Sequence, residues 1–206
     1  MKIKICGMKY QENIKKVAAL QPDYLGFIFY DKSKRNYKGE VFKTFNTIKK
    51  VGVFVNATQK FILEKVIKHQ LNAVQLHGDE SWEFCEKMQS KNLEVIKVFS
   101  VGDTFDFSIL KPYETACDYF LFDTKGKERG GNGTIFNWNV LKMYPSKKPY
   151  FLSGGIGLEN VEDLLLFLKS ESAKYCCGLD VNSKFEIKPG LKNVDSLKIF
   201  TQKFKN

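Results

Sequence analysis

Short apolar runs alternate along the chain with segments whose apolar residues recur every three or four positions. Lys2 to Cys6 reads as a strand, and Asn13 to Leu20 as a helix with Ile14, Val17 and Ala18 on one face. Tyr24 to Phe29 is the second predicted strand, Val41 to Lys49 the next helix and Val51 to Val55 the third strand. Phe61 to His69 is predicted helical because Phe61, Ile62, Lys65 and Val66 trace turns of about 3.6 residues. Ala73 to Leu76 reads as the fourth strand, followed by a helix from about Glu80 to Met88. Glu94 to Phe99 is the fifth strand, Phe105 to Leu110 a weak helix and Tyr119 to Phe122 the sixth strand. A long Gly-rich loop leads to a short helix near Trp138 to Met143. Tyr150 to Leu152, Val161 to Leu168, Cys176 to Leu179 and Val194 to Phe200 complete the series as strand, helix, strand, helix.

Eight strand–helix units in 206 residues match the lower size limit of a (β/α)8 TIM barrel. With no linker, low-complexity tract or composition shift, residues 1–206 are expected to form a single α/β domain. A doubly wound open sheet is the structural alternative; the count of eight favours the barrel. A barrel places its chemistry at the C-terminal ends of its strands, so those ends are where candidate residues are sought.

Composition narrows the class. Hydrophobic residues make up 43% and charged residues 27%, a globular balance. No N-terminal stretch resembles a signal peptide, and no run approaches the roughly 20 apolar residues of a membrane helix. A soluble, cytoplasmic protein is expected. The five cysteines include no C-x-x-C pair, which argues against a disulfide framework or structural zinc, and two histidines are too few for a histidine-rich metal site. The formal net charge of +10 fits a lysine-rich surface, attraction of a small anionic substrate, or nucleic acid. The lysines form no dense basic block, which weakens the last reading.

Each strand end has a bland reading and a chemical one. Cys6, before Gly7, is either a small buried hydrophobe or a thiolate base at the barrel mouth. Arg35, in Ser33-Lys34-Arg35-Asn36, is either solvated or a fork for a carboxylate. Asp123, after Leu121-Phe122, either caps a turn or donates a proton. The Gly130-Gly131-Asn132-Gly133-Thr134 segment is a surface loop or a cover for a ligand. His77 is a hydrogen-bonded structural histidine or a polar lining group. Cys176 and Cys177 read as core or near-core. Gly154-Gly155 and Asn182-Ser183, ending the seventh and eighth strands, have the placement of a barrel's phosphate site, where glycine lets the backbone approach an anion.

These segments together resemble the phosphoribosylanthranilate isomerase family nearly end to end. The resemblance rests on seven strings in order. They are Lys4-Ile5-Cys6-Gly7-Met8, Leu25-Gly26-Phe27-Ile28-Phe29, Val51-Gly52-Val53-Phe54-Val55-Asn56 and Gln75-Leu76-His77-Gly78, then Phe122-Asp123-Thr124 with its Gly-Gly-x-Gly follower, Ser153-Gly154-Gly155-Ile156, and Gly178-Leu179-Asp180-Val181-Asn182-Ser183. The chain departs from the family pattern at Lys34, where proline is common, at Lys184, where glycine is usual, and at Asn193, where aspartate is usual.

The resemblance implies an Amadori rearrangement of N-(5-phosphoribosyl)anthranilate in tryptophan biosynthesis, with no metal or other cofactor. It implies Cys6 as general base and Asp123 as general acid. It also implies a pocket with the phosphate at Gly154, Gly155, Asn182 and Ser183, the anthranilate carboxylate at Arg35, and Gln75, His77 and Asp180 as further substrate-binding residues. The expected partner is the small-molecule substrate, without nucleic acid or membrane, in a monomer or homodimer. Two rivals remain. The isomerase of histidine biosynthesis performs the same rearrangement but typically uses two aspartates on a repeated half-barrel; here the first strand ends in Cys6 and no half-repeat stands out. A non-catalytic binder of phosphate ligands or nucleic acid is the other, and the chain carries no RNA- or DNA-binding motif in its favour.

Overall fold

A computed structural model describes residues 1–39, 47–124 and 136–204. Among these, eight parallel strands close a barrel in sequence order. They are β1 (Lys2–Ile5), β2 (Tyr24–Ile28), β3 (Lys49–Phe54), β4 (Ala73–Leu76), β5 (Glu94–Val101), β6 (Tyr119–Thr124), β7 (Tyr150–Leu152) and β8 (Cys176–Val181). Closure is made by β1 against β8, where Lys4 faces Asp180 in register. The TIM-barrel expectation holds, and the open doubly wound sheet does not.

Side chains alternate across each strand, so one set fills the barrel and the other meets the outer layer. Tyr24, Val51, Ala73, Ile96, Val98, Leu121 and Phe151 pack together inside. The outward set, including Ile3, Ile5, Phe27, Phe54, Val74, Phe120 and Leu179, shares the larger core with the helices. Each such large apolar side chain contributes about 1.5–3 kcal/mol when fully buried.

The outer layer contains α1 (Gln11–Ala18), α2 (Gln59–His69), α3 (Trp82–Gln89), α4 (Val161–Leu168) and α5 (Val194–Phe204). Thr58 and Ser81 start α2 and α3 by accepting hydrogen bonds from the amides of Phe61 and Phe84. Two connections differ from the sequence expectation. The predicted helices after β5 and β6 are 3-10 turns, Phe107–Tyr113 and Trp138–Met143. In the first, Pro112 lacks the N–H that a continuing α-helix needs.

The helix expected over Val41 to Lys49 falls largely on residues outside the described ones, and Lys49 itself begins β3. The Gly-rich segment at 130–134 also lies outside the described residues. One unanticipated element follows β8: a two-stranded antiparallel hairpin of β9 (Glu186–Lys188) and β10 (Leu191–Lys192).

Candidate active site

The C-terminal ends of the strands surround a cavity that opens to solvent. Cys6, Arg35, Gln75, His77, Asp123, Gly154, Gly155, Asp180, Asn182 and Ser183 all line it. The barrel thus brings every candidate residue to one place, although they come from six separate strand ends.

Cys6 lies just past β1, its amide donating to the Val181 carbonyl at 2.9 Å. It follows Lys2 and Lys4 on the inward face of the strand. The position facing its sulfur is Gly26: a Cβ there would sit 2.8 Å from Cys6 Sγ and 3.1 Å from Cys6 Cα. Burial pushes the Cys6 thiol up, Asp180 adds to that, and the ammonium groups of Lys4 and Lys192 oppose it. Lys4 is fully buried and pairs with Asp180 at 2.8 Å. Burial would push Lys4 down, but Asp180 and Cys6 outweigh it and hold the ammonium above its ordinary value.

Across the cavity, the Asp123 side chain is hydrogen-bonded at one oxygen and has an imidazole beside the other. Oδ1 accepts the Thr124 amide at 3.0 Å, and Oδ2 lies 3.4 Å from His77 Nε2. The His77 ring is oriented by Gln75, whose Nε2 is 3.2 Å from Nδ1. Gln75 Oε1 is buried without a hydrogen-bond partner among the described residues, leaving an acceptor on a cavity-lining side chain.

Gly154 and Gly155 follow β7 with φ of +88° and +63°. A Cβ on Gly154 would come within 2.7 Å of the Thr124 backbone nitrogen, so both conformation and space call for glycine. Asn160 fastens this loop from behind, donating to the Gly155 carbonyl at 2.8 Å and accepting from the Gly157 amide at 3.1 Å.

The bland reading of Arg35 needs correction. Arg35 is not a solvated loop side chain: its Nε and Nη2 grip the carboxylate of Glu186 at 2.7–3.0 Å. Cys6 is buried, but at the cavity wall and beside two ammonium groups. The two adjacent cysteines of β8 are near-core as expected, with Cys176 buried and Cys177 partly so. All five thiols are free. Among the described residues, no group of three or more His, Cys, Asp and Glu side chains is placed to hold a metal ion. No described helix is long and apolar enough to cross a membrane.

Three residues near the site, Lys4, Glu186 and Lys192, escaped the sequence reading as site residues, and Lys184, which lines the cavity, was read only as a departure from the family pattern. Lys4 had a visible signal, since it precedes Cys6 by two positions on a strand and so shares its face. Glu186 and Lys192 had none, because they reach the site only through the folding back of the hairpin after β8.

The family model for N-(5'phosphoribosyl)anthranilate (PRA) isomerase matches residues 3–203. The chain is 44% identical to the N-(5'-phosphoribosyl)anthranilate isomerase of Parabacteroides distasonis, over 98% of this chain and 92% of that one. The solved phosphoribosyl anthranilate isomerase of Thermotoga maritima superposes with a TM-score of 0.81 at 33% identity, covering 98% of this chain and 97% of that one. Another solved isomerase of this kind, in complex with reduced 1-(o-carboxyphenylamino)-1-deoxyribulose 5-phosphate, gives a TM-score of 0.78 at 30% identity, with coverage of 98% and 97%. The chain belongs to the N-(5'-phosphoribosyl)anthranilate isomerase family, enzymes of tryptophan biosynthesis.

Proposed function

We propose that Cys6 and Asp123 carry the acid–base steps by which this isomerase turns N-(5'-phosphoribosyl)anthranilate into 1-(2-carboxyphenylamino)-1-deoxyribulose 5-phosphate. One observation supports the assignment above all: a thiol flanked by ammonium groups and a carboxyl group flanked by an imidazole line the same cavity from the ends of β1 and β6.

The rearrangement needs a proton given at one atom and taken at another. Asp123 gives a proton to the furanose ring oxygen. The C1′–O bond breaks as the anilino nitrogen lone pair forms a Schiff base at C1′. Cys6, as thiolate, takes the proton from C2′. The electron pair of that C–H bond moves into the C1′–C2′ bond, and the iminium π pair returns to nitrogen as an enolamine. Tautomerisation then yields the aminoketone. The substrate's own nitrogen is the electron sink, so the chemistry calls for no separate cofactor.

Each positioned acid or base supplies about 10²–10⁴ in rate, so orientation must supply much of the remainder. The phosphate is assigned to Gly154, Gly155, Asn182 and Ser183, the carboxylate to Arg35. Gln75, His77 and Asp180 are assigned to the pocket wall. The buried Gln75 Oε1 suits a sugar hydroxyl. The solved relative bound to a reduced ketose phosphate lends support by analogy. Free thiols suit a reducing, cytoplasmic setting.

The test generates phosphoribosylanthranilate in situ and follows the loss of its fluorescence on adding the protein. Wild-type protein should consume it. Cys6→Ser should nearly abolish turnover, because a hydroxyl is a far poorer base, and Asp123→Asn should cripple it. Near-wild-type turnover in Cys6→Ser would remove the base from the proposal. An unaltered pH–rate profile in Asp123→Asn would remove the acid.

A further inference from the structure

The carboxylate of Glu186 is the meeting point of three donors. Arg35 donates to it through Nε at 2.9 and 3.0 Å and through Nη2 at 2.7 Å. Lys192 Nζ donates to Oε1 at 2.9 Å, and so does the Gly190 amide at 2.9 Å. Glu186 and Lys192 have side chains 4% and 0% exposed, so this is a built arrangement and not a surface pair. Lys192 Nζ also donates to the carbonyl and side-chain oxygens of Asn182 at 3.1 and 2.7 Å. Its backbone is clamped by Asn13, which accepts from the Lys192 amide at 2.8 Å and donates to the Lys192 carbonyl at 2.9 Å.

A guanidinium has five N–H groups along its edges. Glu186 takes the edge formed by Nε and Nη2. Three N–H groups remain, two of them on the edge formed by Nη1 and Nη2, and Arg35 lines the cavity. That second edge matches another carboxylate in the same two-pronged geometry. The charges agree. Arg35 and Glu186 alone would be neutral, but Lys192 leaves the trio with one net positive charge for an incoming anion. A planar fork held in place on one edge also loses little rotamer freedom when it binds through the other.

We propose that Glu186 and Lys192 are positioning residues that make Arg35 selective for the carboxylate of the substrate's aromatic amine. Glu186 fixes the plane of the guanidinium and Lys192 restores the positive charge that Glu186 cancels. This rests on the assignment of Arg35 to the anthranilate carboxylate. It also gives the hairpin after β8 a role, since that hairpin carries the counter-charge that aims an arginine on the loop after β2.

The experiment compares two non-reacting ligands by titration calorimetry, N-(5-phosphoribityl)anthranilate and N-(5-phosphoribityl)aniline, which differ only in the carboxylate. Wild-type protein should prefer the first by roughly ten- to a hundred-fold. In Glu186→Ala the preference should fall about five- to thirty-fold, with affinity for the aniline compound kept within about two-fold. Lys192→Met should reduce the preference in the same direction. A merely structural role would weaken both ligands alike, and that result overturns the proposal. So does an unchanged preference. A stronger preference in Glu186→Ala would make Glu186 a competitor for Arg35 and overturns it as well. Should Glu186→Ala not fold, the nearly isosteric Glu186→Gln carries the test, with a reduced preference expected and a wild-type preference overturning. Isomerase turnover of the wild type, measured in parallel, separates failure of this inference from failure of the proposed function.

Discussion

Lys4 Nζ lies 2.8 Å from Asp180 Oδ1, two residues before Cys6 on the inward face of β1. The pair puts a buried cation below the thiol that the proposed mechanism uses as a base. A cation favours a thiolate, so removing it should raise the thiol further.

Lys4→Met should therefore shift the low-pH limb of kcat/KM to higher pH. Alkylation of Cys6 by iodoacetamide should move the same way, because the thiolate is the reacting form. Burial pushes the other four thiols up as well, to about 11 or 12, so peptide mapping identifies which cysteine is alkylated. Leaving Asp180 alone in the interior costs about 3–5 kcal/mol of stability. The double variant Lys4→Met/Asp180→Asn should recover much of that stability without restoring the pH profile. An alkylation profile identical to wild type would refute the role of Lys4.

Gly26 leaves the space that Cys6 Sγ occupies. An alanine there must push the sulfur or its backbone aside. Overpacking of this kind costs about 1–3 kcal/mol. Gly26→Ala should fold, melt several degrees lower and lose at least about ten-fold in kcat, because a small misplacement of a reacting group is costly. Steady-state kinetics and a melting curve on the same preparation test this. A normal kcat with a lowered Tm would mean that the thiol tolerates displacement.

Lys97 and Glu80 form another buried ion pair, 2.9 Å apart, in the layer outside the barrel. Glu80 accepts from the amides of Asn56 and Gly78, and Lys97 donates to the Gly78 carbonyl at 2.7 Å, so the pair ties down the loop behind His77. Lys97→Met should cost about 3–5 kcal/mol, measured by urea unfolding, because it breaks a buried ion pair by removing one partner. A loss below about 1 kcal/mol would count against this clamp.

Glu186 should also leave a mark in acid. Burial would raise its carboxyl, but Arg35 and Lys192 outweigh burial and hold it below the ordinary value of 4.5. A carboxyl lowered in the folded state contributes stability that is present above the unfolded value and lost as pH falls through the folded one. Wild-type protein should thus lose stability more steeply than Glu186→Gln below pH 4.5. Parallel stability curves for the two proteins in that acid range would contradict it.

Much of the barrel is written locally. Strand and helix periodicity places β1, β4, β7 and α4 within a residue or two, because their apolar faces are dictated by alternation or by the helical repeat. The strand ends also expose the candidates, since a barrel directs Cys6, Asp123 and Gly154 to one mouth wherever they fall in the chain. The connections after β5 and β6 were less legible, because helical spacing alone does not separate a short α-helix from a 3-10 turn.

What local pattern could not convey is the company each group keeps. The order of residues names a thiol, a carboxylate and an arginine, and their motif context suggests an isomerase. It does not reveal that a lysine and aspartate meet across the β1–β8 seam beneath the thiol, or that Glu186 holds one edge of Arg35. Charge, burial and orientation act over a few ångströms of space. Those few ångströms join residues far apart in sequence only after the barrel has closed and the last hairpin has folded back over its rim.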